Sequence, residues 1–145
     1  MGDKIKETIA DVEGAVIDYL EDQILIVIGN GNYDVSIYRG SDGFPEDAES
    51  ESIVVYAELR EGDAEAIELQ STATRITVRA RKRSDAFELI KNVDKIFHAH
   101  WNLNLNDDVN LCYALRNAGP DWFPGDSDGL HYYTALYDSK YRIRL

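Results

Sequence analysis

Apolar residues recur along the chain with two spacings, one typical of helices and one typical of strands. Over residues 4–22 they recur every three or four positions, which predicts an amphipathic helix. Its apolar positions are Ile5, Ile9, Val12, Val16 and Leu20. A second helix is predicted to begin at Ser84 or Asp85, with Ser84 as its N-cap. Its buried stripe would consist of Ala86 or Phe87, Ile90, Val93, Ile96 or Phe97, and Trp101.

Strand-like segments occupy much of the remaining chain. Residues 24–28 and 33–39 predict a hairpin, because Gly and Asn at residues 29–32 allow the positive φ of a tight turn. Further strands are predicted at residues 53–59, 66–69, 74–81, 111–115 and 131–145. In the third of these, Ile76, Val78 and Ala80 would face one way, and Arg75, Thr77, Arg79 and Arg81 the other. Loops are predicted at 40–51, which is acidic, and at 119–129, which is rich in Pro, Gly and Asp.

The order of these elements favours an α+β fold. Clustered strands with two separated helices predict a mixed, mainly antiparallel sheet with two main helices packed on one face. The alternative, a doubly wound parallel fold, would need strands and helices to alternate. A chain of 145 residues is large enough for one core, so we expect a single domain, residues 1–145, with a flexible acidic loop at 40–51.

Composition argues against a membrane or disulfide-built protein. The longest apolar run, residues 24–28, is too short to span a bilayer, and the first residues lack the apolar region of a signal peptide. Cys112 is the only cysteine, so the sequence predicts neither an internal disulfide nor a cysteine-based zinc site. We therefore expect a protein of a reducing cytosol, without membrane partners.

Charge is distributed unevenly along the chain. The net charge is −12, which opposes general binding to nucleic acids. Residues 1–70 hold 18 Asp and Glu against 4 Lys and Arg, whereas residues 71–145 hold 9 against 11. This imbalance is compatible with a solvated acidic surface that aids solubility. It is equally compatible with assembly, in which the acidic face of one copy meets the more basic face of the next.

No motif in the sequence predicts a catalytic serine or a cofactor site. Residues 125–129 match the G-x-S-x-G pattern around Ser127, but no apolar strand precedes them and a strand pattern follows, so a turn is the better interpretation. Gly29 and Gly31 lack the third glycine of a dinucleotide fingerprint, because Asp34 occupies that position.

Metal sites are not predicted either. Asp126 and Asp128 are not followed by the glutamate that closes a calcium-binding EF-hand loop. His98 and His100 lie two residues apart on a predicted helix and would point to different sides. Cys112 lies in an apolar strand pattern that is typical of an inert buried thiol. We predict no catalytic, cofactor-binding or metal-binding residues and no enzyme activity, although an enzyme with dispersed Asp and Glu residues would leave no motif.

One basic cluster remains as a candidate site. It lies at the end of the strand at 74–81 and just before the second helix. Its members, together with Arg75, are the candidate subunit-interface residues: Arg75, Arg79, Arg81, Lys82 and Arg83. The alternative interpretation is a solvated strand edge whose charges discourage aggregation.

Two segments resemble a known family. The run TRITVRARKRSDAFELI at residues 74–90 resembles the strand and helix at the core of the tail terminator and minor capsid proteins of long-tailed bacteriophages. The run DSDGLHYYTALYDSKYRIR at residues 126–144 is similar to their closing segment, in which an acidic, glycine-containing turn leads into a final strand with tyrosines. With the first helix included, the resemblance covers most of residues 4–145.

The resemblance implies a structural virion protein of the tail and neck, assembled in the host cytoplasm. Such proteins form a ring, typically a hexamer, that closes the head-proximal end of the tail tube and joins it to the neck. The implied partners are further copies of the chain, the tail tube protein and a neck or head-completion protein, and DNA would pass through without specific binding. Two alternatives stay open: another neck or head-completion protein, and a soluble acidic immunity or inhibitor-type binding protein.

Overall fold

The chain forms two helices and a sheet of six strands in a computed structural model that describes residues 11–28, 35–40, 44, 52–59, 69–125 and 129–143. The helices are α1, Val12–Ile28, and α2, Arg83–Phe97. The strands are β1, Ser36–Arg39; β2, Ser52–Leu59; β3, Leu69–Ala80; β4, His100–Asn104; β5, Val109–Pro124; and β6, His131–Ile143. Neither helix is long and apolar enough to cross a membrane.

Five of the six strands pair in an antiparallel arrangement. The spatial order is β1-β2-β3-β6-β5-β4, and only β1 and β2 run parallel. Both helices contribute to one core cluster with the sheet. The predicted α+β fold, a mixed and mainly antiparallel sheet with two helices packed on it, is therefore confirmed.

Alternation along the strands gives the sheet two unlike faces. In β6, Tyr133, Ala135, Tyr137, Ser139, Tyr141 and Ile143 are buried. Because successive side chains of a strand point to opposite faces, these residues define the face covered by α1 and α2, which we call the helix face. The residues between them, from Tyr132 to Arg142, lie on the opposite side, which we call the open face.

The core lies between the helix face and the two helices. Helix α1 contributes Val16 and Leu20, and α2 contributes Ile90, Val93 and Phe97; all five are fully buried. The Phe97 ring packs edge-on against Tyr137 of β6, with ring centroids 5.1 Å apart. Each fully buried side chain of this size contributes about 1.5–3 kcal/mol relative to exposure, so this cluster is the main source of stability.

A partly buried carboxylate, that of Asp94, ties α2 to the long hairpin of β5 and β6. Asp94 accepts a hydrogen bond from the hydroxyl of Tyr137 at 2.8 Å and an ion-paired hydrogen bond from Nη1 of Arg116 at 2.6 Å. Burial, together with the negative charge of Asp94, raises the pKa of Tyr137 far above its usual value. The helix is thus fixed to two adjacent strands by one side chain.

The sheet curls around α1. Arg39 of β1 and the turn residues Asn106 and Asp108, which follow β4, line the same groove beside Asp11 and Gly14. Because β1 and β4 are the two edges of the sheet, this proximity requires strong curvature. The bulges of β5 contribute to this curvature. At Gly119, φ is 87° and an added Cβ would lie 3.1 Å from the Cα of Ala135, so glycine suits the close approach of β5 to β6 there.

The predicted hairpin at residues 24–39 is wrong. Residues 24–28 extend α1, and β1 pairs in parallel with β2 instead of with a preceding strand. A five-residue apolar run fits a buried strand and the end of a buried helix equally well, so periodicity could not distinguish them. The predicted turn at 29–32 lies outside the described residues, as do residues 4–10 of the first helix.

Helix α2 differs from its prediction at both ends. It begins at Arg83 with Lys82 as N-cap and no side-chain capping bond, so Ser84 is not the cap. It ends at Phe97, and Ala99, with φ at 58°, turns the chain into β4. Trp101 therefore lies in a strand, 62% exposed, and not in the buried stripe of the helix. The pattern missed β4 because it is only five residues long.

Most of the other strand predictions are confirmed. Residues 53–59 lie in β2, 74–80 in β3, 111–115 in β5 and 131–143 in β6. The predicted loop at 119–129 is wrong in its first half, because β5 continues to Pro124. Bulges accommodate its glycine and proline, which is why a loop composition occurs within a strand. Most of the loop at 40–51 and of the strand at 66–69 lies outside the described residues.

A cluster of hydroxyl groups is buried on the helix face between β3 and β6. The hydroxyl of Thr74 lies 2.8 Å from that of Ser139 and 2.9 Å from that of Tyr141. Ser139 also donates to the carbonyl of Thr72 at 3.0 Å. Burial is the main cause that raises the pKa of Tyr141 to about 12.

Replacing Tyr141 should test this cluster. We expect Tyr141→Phe to lower the free energy of unfolding at pH 7 by about 1 kcal/mol, because one buried hydrogen bond is lost. The folded pKa of Tyr141 lies above its unfolded value of 10.0, so its contribution is complete below pH 10 and is lost as pH rises towards 12. Over that range the wild type should lose about 1.4 kcal/mol per pH unit more than the variant.

Urea unfolding monitored by circular dichroism between pH 7 and pH 11 would measure both effects. Tyr56→Phe is the matched control, because Tyr56 is exposed and should change stability by less than about 0.5 kcal/mol. Parallel stability curves for the wild type and Tyr141→Phe above pH 10 would contradict the prediction.

Candidate functional site

The structure separates the five predicted interface residues. Arg75 and Arg79 lie on the open face of β3, which is an interior strand between β2 and β6. The interpretation of these two residues as a strand edge is therefore wrong. Arg81 and Lys82 are exposed in the connection between β3 and α2, and Arg83 begins α2.

Arg79 is held by aromatic rings on the open face. Its guanidinium lies 4.4 Å from the centroid of the Phe44 ring, a cation–π contact, and the residue is only 8% exposed. In the register of the sheet Arg79 is opposite Tyr132, and Tyr132 is opposite Phe123, whose ring stacks on it with centroids 5.0 Å apart. Arg79 therefore stabilises this end of the face and presents little charge to a partner.

Arg83 turns to the helix face. Its guanidinium stacks on the indole of Trp122 at 4.0 Å, and its Nε donates to the hydroxyl of Tyr133 at 3.2 Å. The indole N–H of Trp122 donates to Nδ1 of His131 at 3.3 Å. These contacts fix the start of α2 to the tip of the β5–β6 hairpin. The observed role of Arg83 is therefore to hold these two elements together.

The open face carries most of the exposed apolar surface in the described part of the chain. Six large hydrophobic side chains are exposed among the described residues, and four of them lie on the open face, with exposed fractions between 38% and 62%. These four are Tyr56, Trp101, Leu115 and Phe123. Arg75 is opposite Tyr56 of β2 and Leu136 of β6, so its charge lies within this apolar surface. Contiguous exposed apolar surface is typical of protein interfaces.

The charged residues of the open face are mostly basic toward one end. Lys140 is opposite Tyr113, which is opposite Trp101, and the rings of Tyr113 and Trp101 lie 5.7 Å apart. Arg142 follows on the next outward position of β6 and is exposed. Arg75, Lys140 and Arg142 thus surround the apolar residues on this part of the face.

The opposite surface of the protein is acidic. Helix α1 buries Val12, Ala15, Val16, Ile17 and Leu20, and its outward side carries Asp11, Asp18, Glu21 and Asp22. We call these four residues the acidic stripe. Residues 11–28 include no lysine or arginine. The two sides of the molecule therefore differ in both charge and polarity.

Asp11 and Arg39 fix the start of α1 to β1. Asp11 caps the helix by accepting a hydrogen bond from the backbone N–H of Gly14 at 2.9 Å. Both of its oxygens also contact the Arg39 guanidinium, one of them through Nη1 at 2.7 Å. The hydrogen bond from Arg39 is the main cause that lowers the pKa of Asp11. The pair lies in a groove of about 400 Å³ that Asp18 and Asp108 also line.

No cluster suited to metal binding occurs among the described residues. They include no group of three His, Cys, Asp or Glu side chains that could hold a metal ion. His98 and His100 were predicted on a helix, but both follow the end of α2. Nδ1 of His98 accepts a hydrogen bond from the backbone N–H of Arg116 at 2.8 Å. Nε2 of His100 lies 2.9 Å from the carbonyl oxygen of Lys95. Cys112 is half-buried, and residues 126–128, including Ser127, lie outside the described residues.

No protein-family description matches the sequence, and no curated protein resembles it at a significant level. Function is therefore inferred from the surfaces of the molecule and from the resemblance of residues 74–90 and 126–144.

Several residues of the open face were missed in the sequence. Tyr56 and Leu115 occupy outward positions of predicted strands, and alternation with their buried neighbours could have identified them. Trp101 was assigned to the wrong element. The role of Phe44 gave no local signal, because it depends on Arg79 and Tyr132, which are distant in sequence.

Gly14→Ala tests the geometry at the start of α1. In an ordinary helix this change adds about 1 kcal/mol of stability. Here the new methyl group would collide first with Oδ2 of Asp11 and would lie 2.7 Å from Nη2 of Arg39. The carboxylate would have to move, and Arg39 holds it in place. We expect the gain to disappear in the wild type and to return in an Arg39→Ala background, where the carboxylate can turn away.

A double-mutant cycle of Gly14→Ala and Arg39→Ala, with thermal or urea unfolding as the measurement, gives the coupling energy. An equal effect of Gly14→Ala in both backgrounds would mean that Arg39 does not constrain this position.

Proposed function

We propose that this chain is a structural virion protein, a tail terminator of a long-tailed bacteriophage. In this proposal it forms a ring at the head-proximal end of the tail tube and joins the tail to the neck. The observation that carries the proposal is the open face, where four large apolar side chains and Arg75 lie exposed on a sheet that the helices cover only on its other side. Such a face favours burial against another protein.

The two unlike sides of the molecule favour a ring in particular. A ring needs a heterologous interface, in which one surface of a protomer contacts a different surface of the next protomer. In a closed ring every protomer uses the same two surfaces. The open face and the acidic stripe are two such surfaces. The resemblance of residues 74–90 and 126–144 to tail terminators implies a role in forming a ring. The presence of two such surfaces on opposite sides of the molecule is compatible with that role.

The charge of the chain suits contact with a channel for DNA. A net charge of −12 repels phosphate groups, so DNA could pass without specific binding. The proposed location is the virion tail and neck, with assembly in the host cytoplasm. The proposed partners are further copies of this chain, the tail tube protein and a neck or head-completion protein.

A soluble acidic inhibitor fits the surfaces less well. Such a protein would use the acidic stripe to cap a basic partner and would leave the open face in water. The exposed Trp101, Leu115 and Tyr56 would then serve no purpose and would promote aggregation.

Assembly of the purified protein tests the proposal. We expect ring-shaped particles of about six subunits by negative-stain microscopy and a matching mass by light scattering. Coexpression with the tail tube protein of the same genome should give tubes with ring density at one end. A protein that stays monomeric alone and with tubes would contradict the proposal.

Leu115→Glu should abolish these rings, because it places a charge within the apolar open face. The side chain is 39% exposed, so the folded monomer should lose little stability, which thermal unfolding would verify. Lys91→Glu is the control: it adds an acidic charge on the exposed side of α2 and should leave the rings intact. Equal assembly of wild type and Leu115→Glu would show that the open face is not the interface.

A further inference from the structure

The open face and the acidic stripe are complementary in charge. The basic end of the open face presents Arg75, Lys140 and Arg142 around apolar side chains, with Asp138, opposite Leu115, as an acidic residue among them. The acidic stripe presents carboxylates with no cation on its own helix. Within the described residues, Asp18, Glu21 and Asp22 form no ion pair within 4.0 Å, whereas Asp11 is paired with Arg39. The side chains of these three residues are exposed.

These two surfaces cannot meet within one molecule. Helix α1 packs its apolar side on the helix face, so the acidic stripe points away from the sheet. The open face points in the opposite direction, since it consists of the alternate residues of the same strands. Contact between the stripe and the open face requires a second copy, and the contact is heterologous.

The dimensions of the surfaces agree. The three carboxylates from Asp18 to Asp22 extend along about 6 Å of helix axis, at 1.5 Å per residue. On the open face, Lys140 and Arg142 are two residues apart, which is about 7 Å of strand. Arg75 is opposite Leu136, four residues before Lys140, so it lies further along the face. Lys140 and Arg142 therefore match the three carboxylates in length.

We propose that the acidic stripe of α1 docks on the open face of the next copy, with Asp18, Glu21 and Asp22 beside Lys140 and Arg142 and with Arg75 at the other end of the contact. The partner of the open face is thus a second copy of this chain. The proposal rests on the proposed function, because it assigns the two surfaces through which the ring closes. The apolar side chains Tyr56, Leu115 and Leu136 would be buried beneath the docked helix, and the ion pairs would fix its register.

Charge exchange tests this pairing directly. The stripe variant carries Asp18→Lys and Asp22→Lys, and the face variant carries Arg75→Glu and Arg142→Glu. Each variant alone places like charges opposite each other, so its assembly should weaken by at least about 100-fold and leave monomers in light scattering. An equimolar mixture should assemble again, because every contact in an alternating ring is then complementary. A single chain with all four changes should also assemble.

A matched control carries Glu88→Lys and Asp107→Lys. This control changes the net charge as much as the stripe variant does, but at exposed positions outside both surfaces, and it should assemble as the wild type does. Circular dichroism and thermal unfolding verify that each variant is folded. Rising salt should weaken wild-type assembly, since exposed charges are screened.

The possible outcomes separate this inference from the proposed function. Rings that survive in both single variants, or single variants that are not restored by mixing, would overturn the pairing while the ring itself stands. A wild-type protein that forms no ring, alone or on tail tubes, would overturn both. Recovery in the mixture and in the four-change chain, with failure of each variant alone, is the result we expect.

Discussion

Two helices can cover only one face of a six-stranded sheet, and the rest of this structure depends on that constraint. The described helices α1 and α2 both pack on the helix face, where Ile53, Ile76 and Val78 are fully buried. The alternate residues of the same strands lie on the open face, which neither helix covers. Ser52, Val54 and Arg79 are buried at one end of this face, and its other residues are partly or fully exposed. Apolar side chains there are compatible with a stable monomer only as a limited patch, so a second protein layer is the natural complement.

Alternation predicted the sheet well and the helix ends poorly. The strands around Ile76 and Ala135 could be predicted because buried residues alternate with more exposed ones there, and this period is visible in any local window. In β2, Ser52, Ile53, Val54 and Val55 are all buried, so the signal was its apolar run and not alternation. Residues 24–28 and 119–124 could not be assigned correctly. The first is apolar on all sides, and the second is a strand whose bulges accommodate a proline and a glycine.

Alternation predicted the outward position of one candidate residue, Arg75, whereas the contacts of Arg79 and Arg83 could not be predicted. Arg75 lies on the outward side of β3 as alternation indicated, and its charge is exposed. Arg79 and Arg83 are held instead by Phe44 and Trp122, each more than 30 residues away in sequence, and no local pattern reports such contacts. The uneven charge of the two halves now has a structural meaning: the acidic half supplies the outward side of α1, and the basic half supplies β3 and β6.

Adjacent positions on one strand therefore have opposite consequences for folding and assembly. Thr74 is fully buried in the hydroxyl cluster, so its replacement would remove the hydroxyl that lies 2.9 Å from that of Tyr141, a hydrogen bond inside the protein. Ser139 would keep its hydrogen bond to the carbonyl of Thr72. Arg75, the next residue, is exposed and adds little to the stability of the monomer. Because the two faces are separated in this way, substitutions on the open face can change the chemistry of that surface while the fold remains intact.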